Sequence, residues 1–322
     1  MPYYPERKPE PSGVKQKKEK PYQNRFLRLA VTIVSCTLVL YGSVRLIMYY
    51  ADLNASRNTS RELQQISKEE TDSPSAKPEQ TAVTVPLPAA APEKKKTEEA
   101  LPATEEGILL HPVKYPDNPE LKVSERFLKL RKKSGYIVGW LSFDEVNEPV
   151  VQKDNSYFLK WDATGKKNSN GAIFLDSGIS LLTRPYTIIL YGHNMKSGNM
   201  FGRLKKYKDS SYFYTNRIIT FDSLYEEGQY AAFAVVEFET VPGVARWYNL
   251  WSLATDNRAA REKAIRELER KSVINSVLDV QEDDQILLLV TCLDGDTERL
   301  MVAARRLRDN EKPGNLTVRK NQ

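Results

Sequence analysis

The chain has 322 residues, a formal net charge of +6, 28% charged residues and 18 prolines, but only 2 cysteines and 2 histidines. Two cysteines exclude a disulfide scaffold, and four scattered Cys/His side chains cannot form the clustered set of about four ligands that a structural zinc ion takes. Any catalysis by cysteine or histidine must use one of very few residues.

Residues 1–28 are polar and basic, with Arg7, Lys8, Lys15, Lys17, Lys18, Lys20, Arg25 and Arg28, and are interrupted by five prolines ending at Pro21. Proline removes a backbone donor and disfavours helix interiors, so a disordered cytoplasmic tail is expected. Leu29 to Val44 carries no charge, Arg45 follows, and Leu46 to Tyr50 is apolar again. At 1.5 Å per residue, residues 29–50 reach about 33 Å, enough to cross a bilayer with Arg45 snorkelling to the interface. Tyr41, Tyr49 and Tyr50 suit an interfacial belt, and the Lys/Arg excess before the span predicts the N-terminus inside and the rest outside the cell. Part of the +6 is then a topology signal. No basic stretch is interleaved with aromatics as a single-strand binder requires, and no nucleic-acid partner is expected.

Residues 51–114 are rich in Ser, Thr, Glu, Lys, Ala and Pro, with no aromatic residue between Ala51 and Leu110. Such a composition cannot bury enough apolar surface to order itself, so a disordered extracellular linker is expected, with Arg61 to Glu70 as a short helical extension of the span. Residues 115–322 read as one folded domain. A helical stripe covers Glu120 to Lys133. Strand-like runs follow at Ile137–Phe143, Ala172–Leu175, Tyr186–Tyr191, Ile218–Asp222, Tyr230–Glu239, Ile286–Thr291 and Leu300–Leu307. One long helix, Asp256–Leu278 with Asp256 as its N-cap, interrupts them. Many strands and one inserted helix predict a mostly β protein, a barrel or sandwich with helical decoration, not a βαβ sheet.

Sorting the rare residues by segment is informative. Cys36 falls in the apolar span and His111 in the linker, which leaves Cys292 and His193 in the folded domain. Cys292 ends the apolar run Ile286–Thr291, a turn-forming tract follows, and Arg299 opens the next strand. In an antiparallel hairpin Cys292 and Arg299 face each other, with Cβ atoms about 4.5–5.5 Å apart. A guanidinium there lowers a thiol pKa and donates to an oxyanion. Arg305 lies six residues further, about 20 Å along the strand. His193 leaves the strand Tyr186–Tyr191 through Gly192 and suits proton transfer to a leaving amine. On these residues alone, an unrelated core cysteine, surface histidine and edge arginine remain an equal reading. One cysteine and one histidine cannot make a metal site, and no cofactor is expected.

Three stretches together resemble the sortases, specifically class B. The first runs from Ile189-Leu190-Tyr191-Gly192-His193-Asn194-Met195 to Asn216-Arg217-Ile218-Ile219. The second is Leu289-Val290-Thr291-Cys292 followed by Arg299-Leu300-Met301-Val302. The third joins Gly139-Trp140-Leu141, Pro149 to Gln152, Asp154-Asn155, Tyr157-Phe158-Leu159 and Gly171 to Asp176. The resemblance implies an eight-stranded β-barrel with N-terminal helices on a Gram-positive cell membrane. It implies a cysteine transpeptidase that cuts the sorting signal of a secreted protein after Thr, through a thioacyl enzyme. The acceptor would be an amine of a peptidoglycan precursor or a pilin. It assigns Cys292 as nucleophile, His193 as general acid then base, and Arg299 as oxyanion or substrate clamp. It sets Tyr191, Asn155 and Leu159 beside the substrate groove. Two alternatives stay open: a pilin-polymerising enzyme that uses a lysine amine, and an inactive peptide-binding surface adaptor. Leu101-Pro102-Ala103-Thr104-Glu105 resembles the start of a sorting signal, but in a linker of this composition it reads as chance.

Overall fold

The computed structural model describes residues 21–71, 114–292 and 297–319. The chain forms two compact units, 1–51 and 52–322. The first helix, α1 (Pro21–Thr71), begins in one and ends in the other. It starts eight residues before the apolar run, because proline at the first helical position gives up only a donor that would be unsatisfied anyway. The expected tail is therefore shortened at its C-terminal end, and residues 1–20 lie outside the described ones. Through the first unit the helix exposes Leu29, Val31, Ile33, Leu38, Leu40 and Ile47. Among the described residues it is the one helix long and apolar enough to cross a membrane. Its Thr32, Thr37 and Ser43 hydroxyls donate back to carbonyls one turn earlier, so they carry no unmet polar group.

The linker expected from residue 51 is corrected over 51–71, where the backbone is continuously helical and not only over the 61–70 extension. Positions 53, 56, 60, 63 and 67 recur at helical spacing and form the face that packs within the second unit. Leu53, Ser56, Leu63 and Ser67 are buried, and Ser60 donates to the Glu148 carboxylate at 2.6 Å. Three of these five residues are serines, so hydropathy conceals the face. Residues 72–113, including Leu101 to Glu105, lie outside the described residues.

The second unit is a closed eight-stranded barrel in the order β1-β2-β3-β4-β7-β8-β6-β5. The strands are β1 (Ile137–Phe143), β2 (Val146–Val151), β3 (Ile173–Leu175), β4 (Thr187–Tyr191), β5 (Ile218–Ser223), β6 (Gln229–Glu239), β7 (Ile286–Cys292) and β8 (Glu298–Arg306). The helices are α2 (Glu125–Lys133), α3 (Ser210–Thr215) and α4 (Arg258–Lys271). All seven expected strands are present within two residues of their expected ends. β2 is the addition. Its Val-Asn-Glu-Pro-Val-Val sequence breaks the alternation and carries Pro149, yet it pairs with both β1 and β3.

The expected helix over 256–278 is shorter. Asn257, not Asp256, is the N-cap, accepting from the Ala260 backbone N–H at 2.9 Å. The helix ends at Lys271, because Ser272 turns extended and its hydroxyl bonds the Val235 and Ile274 backbones. Likewise α2 starts at Glu125 instead of Glu120, since Leu121 holds a left-handed φ of 54° that no helix admits.

Candidate active site

β4 and β7 read as unbroken apolar runs because each lies between two other strands and is covered on both faces. They run parallel, with Tyr191 opposite Val290. Two residues on, His193 and Cys292 leave neighbouring strands at the same end of the barrel. Two hydrogen bonds fix this exit. The Gly192 N–H donates to the Val290 carbonyl at 3.2 Å, and the buried Thr291 hydroxyl donates to the Gly192 carbonyl at 2.7 Å. The residue before the cysteine thus holds the residue before the histidine. Gly192 is required by close approach: a Cβ there would lie 2.9 Å from the Phe201 ring.

β7 and β8 pair antiparallel, with Cys292 directly opposite Arg299. Arg305 sits at the other end of the same hairpin, opposite Ile286, fully buried and ion-paired to Glu311. It is a structural arginine, as its distance along the strand requires. Arg299 donates to the Glu298 carbonyl at 2.9 Å.

The three residues expected beside a groove reach this end in two ways. Leu159 exposes its side chain, and its carbonyl lies 2.8 Å from His193 Nε2. A carbonyl only accepts, so this bond sets the proton on Nε2. Tyr191 and Asn155 meet on a third group, the carboxylate of Asp176, which is 2% exposed. Asp176 Oδ2 accepts from the Tyr191 hydroxyl at 2.8 Å and from Asn155 Nδ2 at 3.2 Å, and Oδ1 accepts from the Gly178 N–H at 2.8 Å. Asn155 Oδ1 in turn accepts from the Ser177 N–H at 2.8 Å. Burial, and then the Asp176 charge, raise the Tyr191 hydroxyl pKa, which keeps it a neutral donor; Arg299 acts in the opposite sense.

Asp176 and Thr291 were not among the expected site residues. Both carried a signal: a single carboxylate closing the apolar run Ala172–Leu175, and a single hydroxyl closing Ile286–Val290. A buried charge or hydroxyl must find partners, and these two find theirs at the site.

Residues 142–307, about half of the chain, match the Sortase domain family. The chain belongs to the sortase family. It is 33% identical over 189 residues to sortase B of Staphylococcus aureus, covering 57% of this chain and 75% of that protein. It is 30% identical over 183 residues to sortase B of Listeria monocytogenes, covering 55% and 70%. Its fold matches a sortase B structure from Bacillus anthracis with a TM-score of 0.57 at 25% identity, over 80% of this chain and 98% of that one. It matches the Staphylococcus aureus sortase B–substrate complex with a TM-score of 0.51 at 30% identity, over 59% and 88%. This sortase is therefore of class B, a cysteine transpeptidase. The expected barrel with N-terminal helices and an inserted helix is the one observed.

Replacing Asp176 by Asn keeps the shape and removes the charge on which Tyr191 and Asn155 converge. Peptide-cleavage kinetics should show kcat/KM lower by about 10-fold, the scale of a lost charge-assisted hydrogen bond, with the far-ultraviolet spectrum unchanged. Unaltered kcat/KM would mean that the network does not serve the site.

Proposed function

We propose that this sortase is held in a cell membrane by residues 29–50, with its catalytic domain outside. It cleaves the C-terminal sorting signal of a secreted protein after Thr and joins the protein to an amine of the cell wall. The arrangement that carries this reading is the joint exit of Cys292 and His193 from β7 and β4, tied by Thr291 and Gly192, with Arg299 opposite Cys292.

The Cys292 thiolate attacks the Thr carbonyl carbon, forming a C–S bond and an oxyanion that the Arg299 guanidinium neutralises. Collapse breaks the C–N bond. His193 gives its proton to the leaving amine, and a thioester remains on Cys292. The acceptor amine then attacks the thioester carbonyl and loses a proton to His193, and the C–S bond breaks to return the thiolate. With Nε2–H held by the Leu159 carbonyl, Nδ1 is the nitrogen left to exchange the proton.

The test is full-length protein in detergent with a degenerate pentapeptide library and a choice of amines. Cleavage after Thr, with transfer to an oligoglycine or peptidoglycan-stem amine, is expected. Transfer only to a pilin lysine would select the polymerising enzyme instead, and binding without cleavage the adaptor.

A further inference from the structure

The turn at residues 168–171 is held from two sides. On one side stands the end of α1. Asn168 Nδ2 donates to the Asp52 carbonyl at 3.0 Å. The Ser169 N–H and hydroxyl donate to Asp52 Oδ2 at 3.2 and 2.5 Å. Asn170 Nδ2 donates to the Ser56 hydroxyl at 3.2 Å. Ser56, Asn168 and Asn170 are buried, so the Asn170–Ser56 bond is shielded from competing water, while the Ser169–Asp52 bonds are exposed.

On the other side stands the segment that touches the catalytic histidine. The Asn168 N–H donates to the Lys160 carbonyl at 2.9 Å, and the Ala172 N–H donates to the Phe158 carbonyl at 3.0 Å. These two bonds bracket Leu159, whose carbonyl meets His193 Nε2. Gly171 lies between them in a left-handed conformation, φ 63°, where a Cβ would lie 2.2 Å from the Phe158 oxygen and 3.1 Å from His193 Cδ2. From Asp52 and Ser56 to the imidazole, every step is a hydrogen bond or a van der Waals contact.

We infer that residues 52–67 of α1 are a positioning element of the catalytic centre: they seat the 168–171 turn, which sets the Leu159 carbonyl and with it the His193 ring. All eight strands lie after residue 136, and their hydrogen-bonded closure does not pass through α1. Freeing the helix therefore leaves the barrel closed and releases the turn. The same helix carries the apolar span, so whatever lifts residues 52–67 from the turn also lowers catalysis. This inference rests on His193 acting in the reaction.

The test is full-length protein in detergent micelles carrying Asp52→Ala with Ser56→Ala, beside the conservative pair Asp52→Asn with Ser56→Thr. A ring displaced from productive geometry loses rate more than binding, so kcat should fall by about 10-fold or more with KM nearly unchanged. The His193 imidazole ¹⁵N signal should shift, and the conservative pair should restore both. Unchanged kcat and an unchanged imidazole signal in the alanine pair would overturn the inference. So would a loss of kcat that matches a loss of folded protein and is not rescued. His193→Gln separates the two readings: if it is inactive, the alanine pair judges the helix by kcat and signal together. If it keeps full activity, the catalytic role of His193 is wrong, and the inference falls with it.

Discussion

Cys292→Ala is expected to lower peptide cleavage by about 10⁴-fold or more, because the remaining groups have no nucleophile to act on. Cys292 closes β7 at the register position opposite Arg299 and one residue past the Thr291–Gly192 bond, so a smaller side chain there leaves the strand ends where they are. The melting temperature should stay within a few degrees of the parent. Thiol alkylation should give the same loss in the parent and in Cys36→Ala, since Cys36 lies on the exposed face of α1 in the other unit. Peptide-cleavage rates before and after complete alkylation check both statements. Residual turnover above about a thousandth of the parent rate would leave another group as nucleophile.

The second large effect is expected at Gly171. An alanine there must hold a left-handed φ, at a cost of about 1–2 kcal/mol, and its Cβ would also collide with the Phe158 carbonyl and press on the His193 ring. The Phe158 oxygen is backbone and is already bonded by Ala172, so it cannot yield cheaply. The expected outcome is a fall in kcat of about 100-fold, the size reached when reacting groups are misplaced by about 1 Å. A drop of several degrees in melting temperature should accompany it. Gly243→Ala is the control. Gly243 has φ 88° with nothing within 4 Å of a Cβ, so it meets the backbone strain without the collision. Its kcat should be that of the parent. Equal activity in both variants would show that the turn does not bear on the histidine.

Much of the barrel was legible in sequence because its strands are simple. β1, β6 and β7 are long runs of apolar, β-branched and aromatic residues bounded by turn-formers, and their expected ends lie within one residue of the observed ones. The opposition of Cys292 and Arg299 followed from a hairpin and the period of a strand. Placing His193 beside them did not follow. It depends on the parallel β4–β7 pairing between strands almost a hundred residues apart, which no local pattern encodes; the family resemblance carried it.

Two features were missed for a different physical reason. Docking of α1 uses serines and asparagines that bury well only because each finds a partner, so hydropathy reads the segment as solvent-exposed linker. The role of Asp176 is not visible in its motif, because the network that joins it to Tyr191 and Asn155 forms only when β3, β4 and the 152–156 loop are brought together.

The measurement that bears most directly on a Cys292 thioacyl mechanism is intact-mass spectrometry of the full-length protein. It would be incubated with a sorting peptide containing Thr, first without an acceptor amine and then with one. The expected result is an adduct with the mass of the peptide fragment ending at Thr, mapped to Cys292 by digestion and discharged as a new amide when the amine is added. Cleavage of the peptide with no adduct at any time, or an adduct on another residue, would contradict it.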